Sequence, residues 1–310
     1  MKRTILLFRC TSSALCGLLG VVSPLAGCGD NAPGAAVPKT LWGELSESTP
    51  ATFPRLVGEV GLLPELEQTG QAMTVFCPQD KVFDDLPTGL LDRLERPEYR
   101  TALSLIVKHH IVAQDITEEG AATVASVQTL ANTTLQLGAD LADHEDTVGG
   151  SAEIVGYGFP VGNGELHYIN ALLVPPLIDV LEQYSDSAAS FATFARIVRA
   201  SGWNPSTSGG PVTLFAPRDA AFAAYSPAAL EAIVGDPQTA LRFVQAHVAS
   251  NAVGILAELP QVVETGAGTL TVAQATSRVT TNAGREAQVV LADIPTHQGI
   301  VHFVDAVLAP

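Results

Sequence analysis

Four of the seven histidines fall in two matched pairs, His110 with His167 and His247 with His302. Imidazoles brought together could bind zinc or pass protons, which makes these the first residues to weigh. All four lie in apolar segments, and His110 and His247 fall on the apolar face of a helical stretch. The expectation is therefore a core histidine, hydrogen-bonded to backbone or to its pair mate, without a metal. The densest cluster of potential ligands is Asp143-His144-Glu145-Asp146, beside Gly149-Gly150. Its carboxylates could hold a hard cation such as Ca²⁺, but the spacing fits no loop motif and reads as a solvated turn. There is no GxSxG, HExxH or CxxC, and no phosphate-cradling glycine loop. Ser208-Gly209-Gly210 reads as a flexible loop, and adjacent carboxylates such as Glu118-Glu119 diverge on a helix or a strand. No catalytic, cofactor-binding or metal-binding residue is assigned, and the chain is read as a non-enzyme.

The cysteines divide by position. Lys2, Arg3 and Arg9 precede an apolar or small-residue stretch, Cys10 to Val22, too short to span a membrane. The stretch ends in Leu25-Ala26-Gly27-Cys28, which resembles a bacterial lipobox. That resemblance implies removal of residues 1–27 and lipid on Cys28, which would hold the protein on a bilayer. Removal would take Cys10, Cys16 and three positive charges, moving the net charge from −16 to −19. Cys77 would be left without a disulfide partner and reads as a small buried apolar residue. Residues 29–38 read as a flexible Gly/Pro/Ala/Asn tether.

The elements that must position these residues occur twice. TVFCPQDKVF (74–83) is echoed by TLFAPRDAAF (213–222), NGELHYINALLVPP (163–176) by QGIVHFVDAVLAP (298–310), and ATFPRLV (51–57) by ATFARIV (192–198). Offsets between the copies run from 141 down to 135 residues in constant order, so the chain holds two homologous units, 39–176 and 177–310. Each opens with a helix; in the second, Phe191, Phe194, Ala195 and Val198 form its apolar stripe. An apolar strand follows, Thr74–Cys77 or Val212–Ala216, stopped by Pro78 or Pro217. Asp80 and Asp219 are placed to cap the start of the next helix. A second helix carries Tyr99, Ala102, Leu103, Ile106, Val107 and His110 on one face, or Ala240, Leu241, Val244, His247 and Val248, the latter behind an Asp236-Pro237 cap. The remainder reads as strands: Thr134–Leu137, Thr269–Val272 and Gln288–Ala292, then closing strands Leu166–Val174 and Val301–Leu308. This order predicts an α+β unit, with helices on a β-sandwich or barrel-like core.

The repeated segments resemble the two signatures of the fasciclin domain family, and His109-His110 and Ala246-His247 fall where that family has a Tyr-His pair. The resemblance implies two tandem domains, each a wedge-shaped β-sandwich with packed helices, and a role in adhesion or binding outside the cytoplasm. In animal members an Asp-Ile pair before the second signature is linked to integrin binding. Asp293-Ile294 is similar to it, with Glu153-Ile154 in the first copy, and is carried as a possible partner contact.

Composition is globular, with 47% apolar and 15% charged residues, of which 32 are acidic and 16 basic. A net charge of −16 without basic runs excludes nucleic acid as a partner class, because phosphate binding needs clustered Lys and Arg. The function expected is a lipid-anchored cell-envelope protein, at the outer membrane given Gly29 after the lipid-bearing cysteine, binding a surface protein or polysaccharide. The alternative is a periplasmic binding protein for an apolar small molecule.

Overall fold

The computed structural model describes residues 39–117, 124–138, 147–150, 152–184, 190–205, 210–250 and 252–309. The signal-like segment, Cys28, the tether, Glu118-Glu119, Asp143-His144-Glu145-Asp146 and Ser208-Gly209 lie outside these residues. Within residues 38–310, which form one compact unit, the same architecture is built twice.

In the first half, helices α1 (Leu41–Glu47), α2 (Thr52–Val60) and α3 (Leu63–Glu67) lead into strand β1 (Met73–Pro78). Helices α4 (Asp80–Asp84), α5 (Leu90–Leu94) and α6 (Arg100–His109) follow, then strands β2 (Ile111–Val112), β3 (Ser126–Gln128), β4 (Thr134–Gly138), β5 (Thr147–Val148), β6 (Ala152–Val161) and β7 (Gly164–Ile169). The second half runs α7 (Leu177–Gln183), α8 (Ala192–Ser201), β8 (Val212–Pro217), α9 (Pro227–Gly235), α10 (Pro237–Gln245), β9 (Val248–Ala249), β10 (Val262–Thr265), β11 (Gly268–Ala273), β12 (Arg278–Thr281), β13 (Glu286–Thr296) and β14 (Gly299–Val304).

In each half the strands form one sheet wrapped on itself. The first has the order β2-β1-β7-β6-β5-β4-β3, and a bridge between Val112 and Thr129 draws its two edges together. The second closes into a barrel, β10-β11-β12-β13-β14-β8-β9. In both, the first strand pairs parallel with the last, β1 with β7 and β8 with β14, and it is buried at every position. A strand covered on both faces needs a continuous apolar run, which MTVFCP and VTLFAP supply. Gly164 and Gly299, at φ +150° and +137°, let the β6–β7 and β13–β14 hairpins approach this strand; a methyl group would run into the carbonyl oxygen of Met73 or Val212.

Each sheet encloses its own apolar core, around Phe76, Leu135 and Ile169 in the first half and Phe215, Leu270 and Val304 in the second. A third cluster, between helices and sheets, runs through both halves from Phe53 and Leu94 to Phe194 and Phe303. The predicted stripe Phe191, Phe194, Ala195 and Val198 is buried in it.

Three sequence expectations shift. The closing strands stop at Ile169 and Val304 rather than Val174 and Leu308, because the tails leave the ladder for the histidines described below. The helices end at His109 and Gln245, so His110 and His247 stand just beyond the last turn instead of on the helix face. Asp80 and Asp219 cap helices 26–29 residues upstream rather than the ones they precede. Asp80 accepts from the Ala51 and Thr52 amides at the start of α2, and Asp219 from Thr193 at the start of α8. The Thr52 amide, chief among these bonds, holds the Asp80 carboxyl below its ordinary range. Asp236 does cap α10, accepting from the Gln238 and Thr239 amides.

Candidate functional site

The repeated histidines are brackets. His110 Nδ1 lies 2.7 Å from the Ile106 carbonyl oxygen, and its Nε2 accepts from the Leu173 amide at 3.0 Å. His247 does the same with Phe243 at 2.8 Å and Leu308 at 3.0 Å. One ring thus satisfies an orphan carbonyl at a helix C-terminus and an amide of the tail that has left the sheet. With Nδ1 donating and Nε2 accepting, the ring must be neutral, and neither nitrogen keeps a lone pair for a metal. Phe53 and Phe194 pack against the two rings at 5.0 and 5.2 Å. Burial pushes both imidazoles down to about 4.

The pair mates are held apart from these brackets. His167 stacks on Phe76 and its Nε2 meets the Ile116 carbonyl at 2.7 Å. His302 lies against Phe215, and its Nδ1 accepts from the Asp293 amide at 3.0 Å. Burial first, and then the Arg93 guanidinium, push His302 down to about 3. The two histidines of each pair therefore close on different backbone atoms. Among the described residues no group of three His, Cys, Asp or Glu side chains is placed to hold a metal. Cys77 is fully buried, and burial drives its thiol far above the ordinary range, as suits a packing residue.

Asp293 and Ile294 are each only 1% exposed, so the expected partner contact gives way to an internal role. Asp293 stands at an irregularity in β13 with φ +64°, a left-handed conformation that Asp tolerates better than most residues. Its Oδ1 accepts from the Leu256 amide at 2.6 Å, and its Oδ2 pairs with Arg93 of α5, in the other half of the chain. The neighbouring Ala292 amide donates to the Tyr99 hydroxyl at 3.3 Å, again across the halves. Arg93 and Tyr99 grip the β13 irregularity and make it a joint between the repeats.

Register also corrects the first-copy equivalence. Phe159 faces Leu166 across the β6–β7 ladder, as Ile294 faces Val301 across β13–β14. Gly158-Phe159, not Glu153-Ile154, therefore stands where Asp293-Ile294 does; Pro160 and Pro295 follow in each.

Elsewhere the halves frame a cleft of about 590 Å³. Leu135, Leu172, Leu173 and Val174 give it apolar walls, while His109 and Gln136 from the first half and His297 and Gln298 from the second give it polar ones. His109, bonded through Nδ1 to the Thr133 hydroxyl, is pushed down to about 3 by burial and by the nearby His110 and His297. Arg93 and His297 carry no repeat signal, so sequence reasoning missed them; Tyr99 was visible as part of an apolar helix face but not as a partner of β13, and His109 as the departure from the Tyr-His pair.

Comparison with known proteins agrees with the repeat. The Fasciclin domain family model matches residues 49–175 and 189–310. The transforming growth factor-beta-induced protein ig-h3 of Sus scrofa is 26% identical over 257 residues, covering 80% of this chain and 36% of that protein. Periostin of Homo sapiens is 28% identical over 151 residues, covering 48% of this chain and 17% of that one. The chain thus spans about a third or less of the length of these relatives. A solved FAS1 domain pair from the insect cell adhesion molecule Fasciclin I is matched at 19% identity and a TM-score of 0.38, over 84% of this chain and 96% of that one.

Proposed function

The chain belongs to the fasciclin domain family, one domain in each half, and from that premise we propose that it is a non-enzymatic, lipid-anchored envelope protein that binds a surface protein or polysaccharide. Family membership of both halves is the observation that carries this reading. The lipobox-like Leu25-Ala26-Gly27-Cys28 supports an anchor on Cys28, and Gly29 supports the outer membrane. Among the described residues no helix is long and apolar enough to cross a membrane. Two linked modules raise the effective concentration at a repetitive target, so weak single contacts suffice for attachment. The net charge of −16 weighs against nucleic acid. Deleting the gene and measuring attachment of cells to surfaces and matrix polymers tests the reading: attachment falls if it holds, and unchanged attachment overturns it.

The cleft between the halves favours a second reading, a binding protein for an apolar small molecule. At about 590 Å³ it falls within the range of ligand pockets, with apolar walls and a few convergent polar groups. Native mass spectrometry of the protein purified from its source decides: a co-purifying lipid or pigment lost on Leu172→Trp favours this reading, and a bare chain removes it.

A further inference from the structure

The joint between the repeats has two faces. One belongs to α5 and the turn before α6, with Leu90, Leu94 and Tyr99 buried and Arg93 reaching across. The other is the outward face of β13 around Asp293 and Ile294. Since the chain is a repeat, each face has a counterpart in the opposite half, and neither counterpart is covered. Phe159 replaces Ile294 by register and is 49% exposed where Ile294 is 1%. It rests edge-on against half-buried Tyr168, whose own counterpart Phe303 is fully buried. Counting back from the shared Thr-Ala-Leu (101–103 and 239–241), α5 corresponds to residues 228–232 within α9. That helix reads PAALEAIVG and has no buried residue at all; Ala228, Ala229 and Ala232 are open to solvent.

We propose that these two open faces dock on each other between copies: α9 of one chain covers the Phe159 face of the next, reproducing the internal joint head to tail. Continuity with that joint is the argument. The two halves share one fold, the internal joint shows which faces of that fold fit together, and at both unfilled positions apolar side chains remain in water. The contact is heterologous, so it does not close on itself in a pair and links copies into a ring or an open row. It is also weaker than the internal joint. Glu231, paired with Arg196 at 2.7 Å, stands in the place of Arg93, and Gly158 in the place of Asp293, so no ion pair joins the copies. At a net charge of −16 per chain, long-range repulsion opposes assembly, and added salt favours it.

Cysteine cross-linking of the full chain on its own membranes tests the proposal, because both sites are exposed and Cys77 is buried. With a short bifunctional maleimide, the double variant Phe159→Cys/Ala232→Cys should give a ladder of dimer, trimer and longer species, strengthened by salt. Each single variant should give no more cross-link than the unsubstituted chain, which reports any reaction through Cys28. Dimers from Phe159→Cys alone would mean that like faces pair, and would overturn the head-to-tail contact. A double variant that stays monomeric although both cysteines react with a monofunctional maleimide would overturn association altogether. If Phe159→Cys is shielded from that reagent without any ladder, the bilayer or the chain's own N-terminal segment covers the face, and the proposal falls.

Discussion

The hairpins β6–β7 and β13–β14 share one register, the same histidine and the same Pro-X-X-X-Gly turn, yet one faces water and the other the opposite half of the chain. At the same rung, the second has Asp293 and Ile294, buried, ion-paired and left-handed in backbone; the first has Gly158 and the exposed Phe159. The register shift at this rung is thus a property of the fold, whereas the chemistry placed on it depends on what covers it. A motif that reads as a surface contact in one repeat is an internal joint in this one.

That comparison can be broken or sharpened by substitution. The largest effects should fall on what both halves share. His110→Ala or His247→Ala should each cost about 3–5 kcal/mol, since the change opens a core cavity and strands a buried amide and carbonyl. Denaturant midpoints measure it, and a loss under 1 kcal/mol would show that the brackets are not structural.

Acid should act through the same rings. His109, His110, His247 and His302 have folded values of about 3 to 4 against an ordinary 6.5. Below pH 6.5 the unfolded chain binds the more protons, so stability is full above that value and falls as pH drops toward 3. The melting temperature should decline steadily over this window; a flat profile from pH 7 to 4 would mean that the rings are solvated.

The joint should then separate the halves. Arg93→Ala leaves a buried carboxylate unpaired and should cost about 3 kcal/mol, while Glu231→Ala, at the equivalent exposed position, should stay within about 0.5 kcal/mol. Equal effects would erase the distinction. The caps are smaller: Asp80→Ala and Asp219→Ala should each lose about 1 kcal/mol, alike in both halves. Smallest of all, Phe159→Ser should leave the monomer's melting temperature nearly unchanged, whereas Ile294→Ala should cost about 2–4 kcal/mol.

Much of this organisation was legible in the sequence. Two ordered copies of the same segments revealed the repeat and the apolar strands β1 and β8, and Asp236-Pro237 in the second copy alone revealed its cap, because each is a local pattern of apolar spacing or capping chemistry. The brackets were half legible: matched histidines in apolar segments pointed to the core, but only the structure shows them tying a helix end to the tail. The targets of Asp80 and Asp219 lie more than two dozen residues upstream, where no local rule reaches. Asp293 was misjudged because its partners, the Leu256 amide 37 residues earlier and Arg93 in the other half, lie beyond any local pattern. Pairing Asp293-Ile294 with Glu153-Ile154 followed a likeness of dipeptides, whereas the ladder counts from the hairpin turn.

The central claim is that Asp293 works inside the molecule, against Arg93. A double-mutant cycle with Arg93→Met and Asp293→Asn tests it most directly, since both replacements keep side-chain size and Asn tolerates the left-handed backbone. The account predicts non-additivity of at least about 1.5 kcal/mol in unfolding free energy, the double variant being more stable than the two losses summed. Losses that add to within about 0.5 kcal/mol would contradict it, and would show that Asp293 and Arg93 act independently.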